Sequence, residues 1–565
     1  MRTLKAFWVI LALAAMPLAA AAQQPATTLD QVVGRIISQE AAEMQMIQKY
    51  SPLVETYIQK DRPDKELGAV PDGDQYFLGR AELSHGVELQ ALTSNGGKHR
   101  VGALGSFFTM AMEFLPKGFL QMIYIDTAGF NKQNYNFDYV RREFLGEVRC
   151  LVFDVTPLPK SGKGRFSGRI WVEDQGYHIV RFNGAYVGSS KTSYYFHFDS
   201  WRVNVSKDQW LPAFIYSEES DVRYALSKRL MFKAQTRLWG YNLGQAQEEQ
   251  ELSRILVEAP TAIKDQTTTA NDLTPLQEQR SWDQLAEDNV IDRMQRLGLV
   301  APAGEVDKVL TTVVNNLEVT NNLNIDPEVR CRVLMTSTLE SFTIGHTIVL
   351  SRGLIDVLPD EASLAMILAH ELGHVVLGHR IDTQFAFFDR LLFDQKDAFH
   401  HFGFSRSQEE EQAASVKGAE LLKNSPYKDQ LATPELFLTV LQNRSKEIPN
   451  LISPHLGDRV TTGAVGVVAT VPAPAGDAAK PGSTVIAALP LGGRIKLNPW
   501  TDNLEMLKAK PVGQVAEREK MPFEVTPFVL YLTRYDATGS AVQNPPAVAA
   551  ESKANGDAVD PNASR

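Results

Sequence analysis

Residues 364–380 read LAMILAHELGHVVLGHR, an apolar run interrupted by His370, Glu371 and His374. A carboxylate left unpaired in an apolar helix costs several kcal/mol, so these side chains need partners or chemistry. On an α-helix, positions i and i+4 share a face, and His370 and His374 can offer two imidazoles to one ion. Glu371, one residue on, is placed to take a proton from water at that ion as general base. Zinc with three protein ligands keeps an open position, lowers the pKa of its water and polarises a carbonyl. The pattern is a hydrolase layout with one Zn2+ per chain. The apolar flanks LAMILA and VVLG argue against a chance occurrence on a surface helix.

The third ligand sets the subclass. A metzincin needs His ten residues after the first, where this chain has Arg380, with Leu377 where Gly would stand. His379 misses by one residue and reads as the exposed end of the helix. A gluzincin takes a Glu from a downstream helix, and SRSQEEEQAASVKGAELL offers Glu409, Glu410 and Glu411. Helical spacing puts Glu411 on a face with Ala414, Ser415, Gly418 and Leu422, all small or apolar. The stripe through Glu410 meets Lys417, and that through Glu409 meets Glu420. A ligand points inward, which favours Glu411 and leaves the other two on a solvated face.

The 565 residues are 44% hydrophobic and 22% charged, which suits a globular chain of two or three domains. MRTLKAFWVILALAAMPLAAAAQQ has Arg2 and Lys5 before a short apolar run and small residues after it, the form of a signal peptide cleaved after Ala22. An exported, soluble, periplasmic protein is expected. Without the leader the net charge moves from -10 to about -12, and this acidity argues against a nucleic-acid partner. Cys150 and Cys331 are far apart in sequence, and both are expected as buried thiols.

The fold class expected is multidomain α+β. A helix leads into a curved antiparallel sheet, a half-barrel spanning about 28–258, because aromatic and β-branched runs such as FLQMIYIDT, GRIWVED and SYYFHFDSWRVNV alternate between turn residues. A polar linker (259–275) precedes a mainly helical metallopeptidase domain (276–460). A β-rich C-terminal segment (461–535) and a disordered tail (536–565) follow. FAFFDRLLF and AFHHFGF, between the two zinc helices, read as core packing and a lid over the cleft, or as a contact for membrane or apolar substrate.

HTIVLSRGLIDVLPDEASLAMILAHELGHVVLGH resembles the core of the CAAX-prenyl-endopeptidase family of zinc metallopeptidases, with its HtpX, BepA and Oma-type members. The likeness covers roughly 280–460 and implies zinc, an endopeptidase reaction on protein or peptide substrates, and a gluzincin fold. By motif it makes His370, His374 and Glu411 ligands and Glu371 the base. LISPHLGDRV resembles the family's S-x-H-P stretch, which implies that His455 and Arg459 stabilise the oxyanion. HTIVL would then be the strand beside the cleft, pairing with an extended substrate. The chain departs from the family where Ser415 replaces an Asp and Ala413 a Glu, and in two shortened intervals, His374 to Glu411 and His455 to Arg459. GRIWVEDQGYHIVRFNGAY is similar to a hairpin of the LolA/LolB-like lipoprotein-carrier half-barrel, which implies lipoprotein or envelope-membrane contact. The expected function is a metalloendopeptidase of the cell envelope that removes misfolded proteins. The alternative is a catalytically weak zinc-binding protein, acting as a chaperone or lipid-binding module through its sheet.

Overall fold

A computed structural model describes residues 28–92 apart from 66, 67 and 85, and 116–187 apart from 128. It also describes 196–241 apart from 225–227, 275–380, 404–459 apart from 453 and 454, and the short stretches 495–497, 504–506, 525 and 530–535. The signal-peptide stretch, the 259–274 part of the linker, the Phe-rich stretch up to residue 403 and the 536–565 tail lie outside the described residues.

Helix α1 (Leu29–Ile47) starts at a capping box in which Thr28 and Gln31 exchange side-chain and backbone hydrogen bonds. Ten antiparallel strands follow: β1 (Leu53–Asp64), β2 (Gly68–Glu82), β3 (Glu88–Ala91), β4 (Tyr135–Leu145), β5 (Val148–Pro157), β6 (Arg165–Glu173), β7 (Ile179–Val187), β8 (Phe198–Ser206), β9 (Gln209–Tyr224) and β10 (Lys228–Trp239). Their order is β3-β2-β1-β10-β9-β8-β7-β6-β5-β4, so the sheet is open, with β3 and β4 at its edges. This is the large antiparallel sheet expected from the alternating runs, with one correction: FLQMIYIDT forms no strand, because Pro116–Leu120 is helical and Gln121–Ile123 a 3-10 turn, and its apolar side chains pack on the sheet face instead.

Period-two alternation gives the sheet two apolar faces, and both are covered. On β5, Phe153 and Val155 point to one side, with Ile170 and Val172 of β6, and pack with Val33 and Ile36 of α1. On the opposite side Cys150, Val152, Trp171, Trp201 and Phe214 join a core shared with the following domain. α1 also brings buried charge inward. Glu40 accepts two hydrogen bonds from Arg202, at 2.6 and 2.8 Å, and Glu43 lies 3.0 Å from His178 Nδ1. Each buried carboxylate thus has a cationic or ring-nitrogen partner, as desolvation requires.

The second domain opens with α2 (Pro275–Arg296) and α3 (Glu305–Thr320). A small sheet then forms from β11 (Arg330–Leu334), β12 (Glu340–Ile344), β13 (Thr347–Ser351) and β14 (Asp458–Arg459), in the order β11-β13-β12-β14. β11 runs parallel to β13, and the other pairs are antiparallel. Helices α4 (Arg352–Val357), α5 (Glu361–Leu377), α6 (Gln408–Lys423), α7 (Ala432–Arg444) and α8 (Pro449–Ile452) complete it. The sequence reading put HTIVL at the cleft edge, and the topology corrects this. β13 is hydrogen-bonded on both sides, so its ladder has no room for a substrate strand. β12 lies outside it, and its Glu340 and Ser341 pair with Arg459 and Asp458.

The two domains are joined by carboxylates of the large sheet that cap backbone amides of the second domain. Glu55 accepts from Ser337 N at 2.6 Å, Ser337 Oγ at 2.7 Å and Tyr76 OH at 2.8 Å. Asp74 accepts from Asn450 N at 3.0 Å and Leu451 N at 2.8 Å. These bonds satisfy amide donors that would otherwise be stranded in the interface. The C-terminal segment reaches back to the same sheet face. Val525 N donates to Gln59 Oε1 at 2.7 Å, and Glu147 N donates to the Leu532 carbonyl at 2.8 Å. Residues 530–535 form no strand there, contrary to the β-rich reading of that stretch, although Ile495–Leu497 and Leu504–Met506 pair as a short hairpin.

Candidate active site

α5 is buried almost throughout, from Ala362 to His374. Asp360 caps its start by accepting from Ser363 N. It ends at Gly378, whose φ of 69° is the left-handed cap conformation that glycine adopts without a Cβ penalty. That turn brings His379 N onto the His374 carbonyl at 3.0 Å.

Helix α6 crosses α5 at very close range. A Cβ on Gly373 would stand 2.6 Å from the Ala414 carbonyl oxygen, and one on Gly418 would stand 2.9 Å from that of Ala369. Small residues at this crossing let the two backbones approach, and the approach brings a carboxylate within reach of two imidazoles. Glu411 Oε2 lies 3.3 Å from His370 Nε2, and Oε1 lies 3.3 Å from His374 Nε2. The two Nε2 atoms are 3.3 Å apart. One ligand atom from each of the three residues falls within 4.8 Å of the others, and among the described residues no other such His, Cys, Asp and Glu group forms.

The donor set fits a metal ion. Two nitrogens and a carboxylate converge in a buried place, and Glu411 Oε1, shielded from water, has the 3.3 Å approach of His374 Nε2 rather than a hydrogen bond of good geometry. Burial pushes the Glu411 carboxyl up, but hydrogen bonds and charge from His370 and His374 outweigh it and hold its pKa at about 2. Glu411 is therefore ionised, the form a ligand needs. Glu410 is spent on the helix cap, accepting from Ser407 N, and Glu409 is exposed.

The bonds around these ligands were only partly legible. Ser415 Oγ lies 3.4 Å from His370 Nδ1 and donates to the Glu411 carbonyl at 2.8 Å. His379, read as a bare helix end, lies with its Nδ1 2.9 Å from His374 Nδ1. Burial, then the neighbouring His374 ring, pushes the His379 pKa down. Glu371 sits beside the cluster, 1% exposed, with Ser341 Oγ on Oε1 and Thr343 Oγ1 on Oε2, both at 2.6 Å. No signal outside the fold marks these two residues. ESFTI shows only alternate polar positions, which also occur on half-exposed strands.

Among the described residues, His455 is not part of the His370, His374 and Glu411 group. The His455 ring stacks on Tyr76 at 4.3 Å, and its Nε2 lies 3.1 Å from the Asn450 carbonyl. Its backbone N–H, with those of Leu456 and Gly457, is held by Glu340 Oε2 at 2.9–3.1 Å. The backbone of Arg459 belongs to β14 beside β12, and its side chain lies outside the described residues. The outer edge of β12 is further closed by Arg406, whose Nη2 donates to the Thr343 carbonyl at 2.8 Å.

Paired helices that deliver two histidines and a glutamate, with a second glutamate next to the first histidine, form a candidate metallopeptidase site. Residues 304–433 match the model of Peptidase family M48. Over 94 residues it is 34% identical to "Metalloprotease LoiP" of Escherichia coli (strain K12), a match that covers 16% of this chain and 36% of that protein. The chain thus spans about a third of the curated relative it matches. A solved Vibrio parahaemolyticus domain, described as an outer membrane lipoprotein-sorting protein domain, aligns at 10% identity and a TM-score of 0.17, covering 36% of this chain and 91% of that one. Among the described residues no helix is long and apolar enough to cross a membrane.

Proposed function

We propose that this protein is an exported zinc metalloendopeptidase of gluzincin type that hydrolyses peptide bonds in cell-envelope proteins, misfolded ones among them. The observation that carries the reading is the convergence of His370, His374 and Glu411 beside Glu371. The first three would hold the ion. Zinc there supplies Lewis acidity toward a peptide carbonyl. Glu371 takes the proton of the attacking water and returns it to the leaving amine nitrogen, the acid–base role that a carboxylate in this position can fill. The oxyanion role assigned to His455 by resemblance requires its ring to leave Tyr76 and its Nε2 to release the Asn450 carbonyl; Arg459 is the other residue assigned to that side.

The chain without its leader, loaded with zinc, is expected to cleave casein, and a chelator is expected to abolish the cleavage. Glu371→Gln should retain zinc and lose at least about 100-fold in rate, because the amide fills the same volume but cannot accept the proton. Cleavage by Glu371→Gln at the parent rate would show that the base is another group.

A second reading, a zinc-binding chaperone or lipoprotein-binding module with little peptidase activity, is favoured by one observation. The outer edge of β12, next to Glu371, is taken up by the chain's own β14 and Arg406. Full zinc occupancy with no casein cleavage would select it.

A further inference from the structure

We propose that Ser341 and Thr343 are positioning residues that hold the Glu371 carboxylate in a single orientation, an inference that rests on Glu371 being the base of the proposed reaction. β12 is buried along its whole length, where apolar side chains would pack as well and leave no hydroxyl to satisfy. Two of its five residues nonetheless carry hydroxyls, at positions i and i+2, which a strand places on one face. Phe342 between them turns the other way and stacks on Phe404 at 4.6 Å. Each hydroxyl has one proton to give, and each lies 2.6 Å from a different oxygen of the same carboxylate, with the Glu371 backbone carbonyl a longer alternative for Thr343 at 3.3 Å.

A glutamate side chain has three rotatable bonds, and an unpinned carboxylate would sample several orientations beside the ligands. Donors on both oxygens fix the carboxylate plane against a strand that is itself hydrogen-bonded on both sides. Each oxygen keeps a second lone pair for accepting a proton from water. The group that collects the proton and the group that delivers it are then the same oxygen in the same place, so the effect belongs to turnover rather than to substrate binding.

Thr343→Val keeps the shape of the side chain and removes its donor; Ser341→Ala does the same at the other oxygen. Each is expected to lower kcat about tenfold with KM and zinc affinity unchanged, the scale typical of groups that orient a catalytic side chain. Thr343→Ser, which keeps the hydroxyl, should recover most of the rate. Parent kcat in Thr343→Val, or a loss of zinc or a rise in KM that accounts for the whole effect, would overturn the proposal. If the zinc-loaded parent cleaves nothing, the peptidase reading fails, and thermal melting then tests the positioning on its own. Thr343→Val should lower Tm more in the parent than on a Glu371→Ala background, where the hydroxyl keeps only its 3.3 Å contact with the backbone carbonyl of position 371. Equal shifts on the two backgrounds would show that the hydroxyl is not committed to Glu371.

Discussion

Ser415 Oγ lies 3.4 Å from His370 Nδ1 while its own proton goes to the Glu411 carbonyl, 2.8 Å away. The hydroxyl oxygen is thus left as the acceptor for the ring N–H, at the long end of hydrogen-bond range. A carboxylate there would accept the same proton with a full charge and raise the basicity of the ligand nitrogen. Ser415→Asp is expected to tighten zinc about tenfold, measured by competition with a chromophoric chelator. Unchanged or weaker binding would refute the register that points position 415 at His370.

His379 plays the matching part for the other histidine, Nδ1 to Nδ1 at 2.9 Å. Only one of the two nitrogens can carry the proton, so His374 is held in one tautomer with Nε2 free toward the ligand cluster if it is the donor. His379→Ala should weaken zinc about tenfold, while His379→Asn, which keeps an acceptor, should lose less. The same chelator competition reads both; equal zinc affinity in the alanine variant and the parent would remove His379 from the site.

The C-terminal segment is expected to be part of the fold up to Tyr535. Val525 and Leu532 are buried against the large sheet, and Arg534 reaches Glu173 at 2.8 Å. Removing residues 525–565 should cost about 4 kcal/mol, from two buried apolar side chains and their hydrogen bonds. Removing only 536–565 should leave Tm unchanged. Thermal melts of the two truncations, side by side, test the boundary.

Both cysteines are free and buried. Burial pushes each thiol up to about 12, so at pH 8 only about one in ten thousand is thiolate. Labelling with a thiol-reactive chromophore should be at least about 100-fold slower in the native protein than in denaturant. Fast native labelling at either position would show that its strand opens.

The helix that carries His370 and His374 was legible in sequence because its signal is local. The i, i+4 spacing of His370 and His374 depends only on the helical period. The same holds for the face that Glu411 shares with Ala414, Ser415 and Gly418, and for the alternation behind the large sheet. What tertiary structure alone decided depends on contacts between residues far apart in the chain. Ser341 and Thr343 meet Glu371 across about thirty positions, and no period links a strand to a later helix. HTIVL carries the alternation of an edge strand as readily as that of a central one, and only the strand order puts it inside. His455 lies in a recognisable loop motif, yet Glu340 and the sheet domain's Tyr76 set where its ring rests. A sequence pattern reports which face of its own element a residue occupies; which element covers that face is settled only when the chain packs.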